Sequence, residues 1–241
     1  MTTSPFTLHP SVFDPGPGIW FAVPAGFTQV PLDALLGSGS EADGGPMPGA
    51  LAPFLECAPD EVTRNRFIAQ IGSVEQMLRN LTSEGTTHCS LGLHRDDTSG
   101  DASGPLLSFL TVTWVHTAWA PRGVTVARLV ATAQGHSEVG YSELPCGPAA
   151  FSEIVRTPPA ESGLPQSPLL QIHAHLPHPD GRSLAVLTLS TVSMVHREHY
   201  RAVLREIAGL VSFDDPLAHA SAEGADGVRE SHTMRTPVKP W

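Results

Sequence analysis

The stretch that decides the fold is residues 170–190, LQIHAHLPHPDGRSLAVLTLS. Leu170, Ile172, Ala174 and Leu176 alternate with Gln171, His173 and His175, the period-2 pattern of a half-buried strand. Pro179-Asp180-Gly181-Arg182 carries an Asp-Gly turn, and Leu184 to Ser190 runs back. The pair therefore reads as an antiparallel hairpin.

Working outward, a helix begins at Ser193, a residue type suited to an N-cap. Tyr200, Val203, Leu204, Ile207 and Leu210 form its apolar stripe, with Arg197, Glu198, Arg201, Arg205 and Glu206 opposite. Upstream, Ser137–Leu144 and Ala149–Val155 read as strands split by Pro145-Cys146-Gly147-Pro148. Leu106 to Ala118 is a long extended run rich in Thr and Val. Pro121-Arg122-Gly123 turns the chain, and the β-branched residues from Val124 to Ala133 predict a return strand.

Cys89, Leu91 and Leu93 form another alternating strand. Before it, Phe67, Ile71, Val74, Leu78 and Leu81 recur at helical spacing from a start at Pro59-Asp60-Glu61 to a stop at Gly85. Ile19–Val23 is a short opening strand, Leu32–Leu36 a single helical turn, and 37–49 a Gly-rich loop. Strands joined by hairpins exclude a doubly wound sheet. The expected fold is α+β: a twisted antiparallel sheet with two amphipathic helices packed on one face. Residues 1–17 read as a flexible arm, 18–213 as a single domain, and 214–241 as a disordered tail.

Val23-Pro24-Ala25-Gly26-Phe27 resembles the V-P-x-G-[WF] opening of the Mog1/PsbP-like fold. The closing hairpin and the last helix also resemble it, so the similarity spans residues 18–213. The chain is similar to actinobacterial proteins of that fold, some encoded near type VII secretion components. Known members are mostly binders or assembly factors, so the resemblance implies a protein partner and a type VII secretion association, and assigns no functional residue.

Composition narrows function further. The 241 residues carry 24 Asp and Glu against 14 Lys and Arg, a net charge of −10. That argues against a general nucleic-acid binder, which needs clustered basic residues. The opening residues show neither a basic n-region nor an apolar h-region, and no apolar run spans a bilayer, so a cytoplasmic location without membrane insertion is expected. Cys57, Cys89 and Cys146 are few and scattered, as reduced thiols are.

Twelve histidines stand out. His173 and His175, two apart on a strand, share a side, and His178 on the following turn offers a third imidazole. That set is the candidate metal site, with zinc as the ion. The other reading is a polar sheet face of hydrogen-bonded imidazoles. His196 with His199, and His88 with His94, are further pairs, read as solvated, and His116 as half-buried. No G-x-S-x-G elbow occurs: Gly72-Ser73 lies inside the expected helix. Asp96-Asp97 are adjacent on a turn and point apart. Trp20, Trp114 and Trp119 fill a core or line a ligand slot, and Trp241 ends the tail as a docking residue or an incidental end. No enzyme is expected. The chain reads as a non-catalytic cytoplasmic protein-binding or assembly factor, with a metal-binding protein or metal-dependent enzyme using the histidines as the alternative.

Overall fold

The computed structural model describes residues 6–8, 18–30, 32, 61, 79–94, 106–157 and 167–215. Strands β1 (Phe6–Leu8) and β2 (Ala22–Pro24) pair as a small antiparallel ribbon, so part of the 1–17 segment is a strand. The main sheet holds β3 (Phe27–Val30), β4 (Thr86–His94), β5 (Leu106–His116), β6 (Ser137–Leu144), β7 (Gly147–Arg156), β8 (Leu169–Pro177) and β9 (Ser183–Thr191). Their order is β3-β4-β5-β9-β8-β7-β6, and every neighbouring pair is antiparallel. Two meanders, β3–β5 and β6–β9, thus meet along one seam, where β5 pairs with β9 from Ser108↔Thr191 to His116↔Ser183.

The connection between the meanders corrects the expected return strand at 124–133. Residues Arg122–Thr132 form helix α1. Arg122, Thr125, Val126, Leu129 and Ala133 are its less exposed positions, a 3.6-residue spacing that outweighs the β preference of its valines. Arg122 anchors its start: Nε donates to the Pro177 carbonyl at 2.9 Å, and a terminal guanidinium nitrogen donates to the Cys146 carbonyl. Because α1 carries the chain to the far edge, the second neighbour of β5 is β9, not a sequential hairpin partner.

A short 3-10 turn, Met194–His196, leads into helix α2 (Arg197–Gly209). Tyr200, Leu204, Ile207 and Ala208 of α2 pack on Leu110, Val112, Leu170, Ile172, Ala174, Leu187 and Leu189. Burying each such leucine or isoleucine contributes about 1.5–3 kcal/mol. Ile19, Phe21 and Val23 close the same core. Trp20 and Ser212 hold that strand to the end of the domain by reciprocal backbone bonds of 2.8 and 2.9 Å. Leu210, expected in the stripe, is 45% exposed; the helix has ended, and Ala208 and Val211 fill the core instead.

Helices do not share one face of this sheet. Leu129 of α1 lines a cavity with Ala150, Ser152 and His175. These alternate with the core residues Ala149, Phe151 and Ala174 and so point away from α2. The helix expected from Pro59 falls largely outside the described residues. Its last turn, at 79–83, is helical and stops at Gly85 as expected. There Leu81 and Glu84 border the face opposite α2.

Gly85 adopts φ +92°, and a Cβ placed on it would sit 2.5 Å from the Trp114 carbonyl oxygen. The Trp114 N–H donates to the Gly85 carbonyl at 2.9 Å, so neither backbone can retreat freely. Gly85→Ala is expected to cost about 2–3 kcal/mol, from positive φ plus the clash. Urea denaturation checks this; a loss under about 0.5 kcal/mol contradicts it.

Candidate binding groove

The face opposite α2 is built from the second set of alternating positions on β4, β5, β9 and β8. The register sets its floor in rows: Thr113, Val186 and His175; then Thr111, Thr188 and His173; then Phe109, Ser190 and Gln171. Leu81, Leu91, Leu107, Val115, Leu169 and Val192 supply apolar walls. Together they enclose a groove of about 740 Å³. Hydroxyls and imidazoles occupy this floor because period-2 alternation places every second residue of the same strands in the core of the other face.

Three histidines gather at one end. The His173 and His175 rings lie 5.9 Å apart, and those of His136 and His173 lie 5.5 Å apart. His136 follows α1, so the helix absent from the sequence reading delivers it. Its Nδ1 is 3.0 Å from Ser152 Oγ, which is 3.5 Å from His175 Nε2. His173 Nδ1 is 3.0 Å from Thr188 Oγ1, its neighbour in register. His175 Nδ1 is buried and has no hydrogen-bond partner among the described residues. A second cavity of about 160 Å³ shares His136 and His175 with the groove.

Burial depresses both strand histidines, His173 to about 3 and His175 to about 4. The neighbouring imidazoles add to the effect at both, and Arg156 adds to it at His173. Both rings are neutral near pH 7. A general base works best with a pKa near the operating pH, so His175 beside Ser152 is a weak one. Among the described residues no carboxylate pairs with either His136 or His175 to orient it.

His178 does not join them. It has the parity of Ala174 and Leu176, so its ring goes to the α2 side, packing edge-on against Phe213 at 4.9 Å and Trp114 at 5.7 Å. The Asp180 N–H donates to its Nδ1 at 3.2 Å. The structure therefore separates the sequence-derived set of His173, His175 and His178. Among the described residues no three His, Cys, Asp or Glu side chains are placed to hold a metal ion.

The remaining candidates are dispersed. His88, expected on a wet side, is buried against Phe21 and lies 2.7 Å from Ser90 Oγ. His199 contacts Tyr200, and His116 is exposed. Trp114 packs against the α2-side core while Trp119 is 65% exposed, so the tryptophans share no slot. Burial pushes the Cys89 thiol up to about 12 and, against the lowering charge of Arg122, raises Cys146 as well, so both favour the thiol over the thiolate. Cys57, Gly72-Ser73, Asp96-Asp97, the loop 37–49 and Trp241 lie outside the described residues, and so does the His94 side chain.

Among the described residues no helix is long and apolar enough to cross a membrane. Neither the known family models nor the curated proteins include a match to this chain.

Proposed function

We propose that the chain is a non-catalytic protein-binding or assembly factor, whose contact surface is the sheet face opposite α2. One observation carries this reading. Leu107 at 46%, Val115 at 39% and Val192 at 56% exposure stand along the groove, and Leu93 at 48% pairs in register with Leu107. Apolar residues clustered in this way mark interaction surfaces. The net charge of −10 would steer such a surface toward a basic partner. The neutral rings of His173 and His175, with no carboxylate orienting His136 or His175 among the described residues, favour binding over catalysis. The Mog1/PsbP-like resemblance adds the assembly role, a cytoplasmic setting and a type VII secretion association to the proposal.

Site-specific photocrosslinking in the producing cell tests it. A crosslinking residue at Leu107 is expected to give a discrete protein adduct, and one at Glu206 on the outer side of α2 is not. Val192→Asp should abolish the Leu107 adduct while the protein remains folded. Equal labelling from both positions, or none at Leu107, contradicts the assignment.

A further inference from the structure

The groove's interior supports a second inference, independent of the protein-partner reading. We propose that the groove holds an uncharged amphipathic small molecule, its apolar body over Phe109 and Val186 and its hydroxyl or amide head beside His175 and Ser152.

Size comes first. At about 740 Å³ the groove falls within the range of small-molecule sites, roughly 300–1,000 Å³. Its chemistry differs between its ends and across its width. Leu107, Phe109, Leu169 and Val192 gather at one end; at the other, His136, His173 and His175 stand on the β8 side, Val186 and Val115 on the β9 and β5 side, and Ser152 lines the adjoining smaller cavity. A ligand with an apolar body and one hydrogen-bonding end matches that arrangement.

The head group is identified by what the polar end lacks. His175 lines both cavities, its Nδ1 is buried without a hydrogen-bond partner among the described residues, and a buried polar atom left in that state is costly. A hydroxyl or amide can pair with a neutral imidazole in either tautomer, as donor or as acceptor. Ser152 Oγ, between His136 and His175, offers a second contact of the same kind.

Charge excludes the alternatives. The groove's two charged side chains among the described residues, Glu84 and Arg156, are both exposed, so the floor itself is neutral. A carboxylate head would be desolvated against His173 and His175, which burial keeps uncharged, and an ammonium head would find no carboxylate on the floor among the described residues. The chain's net charge of −10 also opposes an anionic ligand at long range.

Nile red, a neutral solvatochromic dye, probes the full-length chain directly. It is expected to bind saturably with a blue-shifted emission, one dye per chain. Decan-1-ol should displace it about tenfold more effectively than decanoate or decyltrimethylammonium, which share its chain length and differ in head charge. Val186 sits mid-floor between Thr113 and His175, so Val186→Trp should weaken dye binding by about tenfold or more without changing m in denaturation. Non-saturable binding, equal displacement by all three competitors, or unaltered binding to a folded Val186→Trp overturns the proposal. If that variant does not fold, the head-group series on the unaltered protein decides alone. The Leu107 crosslinking result is read separately, so either inference can fail without the other.

Discussion

Arg201→Met is expected to destabilise the protein by about 3 kcal/mol at pH 7, the largest effect of any single side-chain replacement considered. Glu153 is 1% exposed on the α2 side of β7, where an unpaired carboxylate is very costly. Arg201 Nε donates to its Oε2 at 2.8 Å, Ser137 Oγ donates to Oε1 at 3.1 Å, and Arg197 stands 3.6 Å away. Burial alone would raise the Glu153 pKa. The Arg201 and Ser137 hydrogen bonds, with the charges of Arg201 and Arg197, outweigh it and hold the carboxyl below its usual range. Arg201 also meets Glu198 at 2.6 Å, but that carboxylate is 81% exposed and its contact contributes little.

Removing Arg201 therefore acts through the carboxylate left behind. Glu153→Gln in the Arg201→Met background should recover part of the loss, because the buried charge is gone. Urea denaturation of the two single variants and the double variant forms the cycle. A cost below about 1 kcal/mol for Arg201→Met would mean that Arg197 suffices, and would refute the assignment of Arg201 as the main partner.

The second large effect is acid destabilisation above the carboxylate range. His173 and His175 fold with pKa values of about 3 and 4, against about 6.5 in an unfolded chain. Between those values the unfolded state binds more protons, so stability rises with pH and falls as pH drops from 6.5 toward 4. Each unit is worth about 1.4 kcal/mol per group, which gives about 3 kcal/mol for each of the two by pH 4.

Carboxylates act in a lower window. Asp180 is held at about 2, its hydrogen bonds from Arg182 and Ser183 outweighing burial. It and Glu153 contribute above their unfolded pKa and lose that contribution only as pH falls below about 4. Urea midpoints at pH 7, 5.5 and 4.5 separate the two windows. The His173→Gln/His175→Gln double variant should flatten the profile between 6.5 and 4. An unchanged slope would show that these imidazoles are already protonated in the fold.

Much of the sheet was legible because local pattern and tertiary role agree there. The alternation at Leu170–Leu176, the Asp180-Gly181 turn and the β6–β7 hairpin each follow from neighbouring residues. Residues 124–133 misled because Val124, Val126 and Val130 favour strands, while the helical spacing of Val126 and Leu129 decides the packing. The candidate site was half legible. His173 and His175 share a side as their spacing requires, and His178, one register position out of phase, goes to the other. His136 could not be found from sequence. Its place depends on α1 crossing to the far edge and on Ser152 standing opposite His173 in the β7–β8 register.

The β5–β9 seam has a kinetic consequence. The β6–β7 and β8–β9 pairs can close from their own short turns, but the seam joins strands separated by α1 and three further strands. Closing so long a loop consumes chain entropy before any contact rewards it. Pairing across that seam is then expected to limit folding, and weakening the Thr191 Oγ1 to Leu107 carbonyl bond, 2.8 Å across it, is expected to slow refolding more than a change in the Asp180-Gly181 turn, as stopped-flow refolding would read.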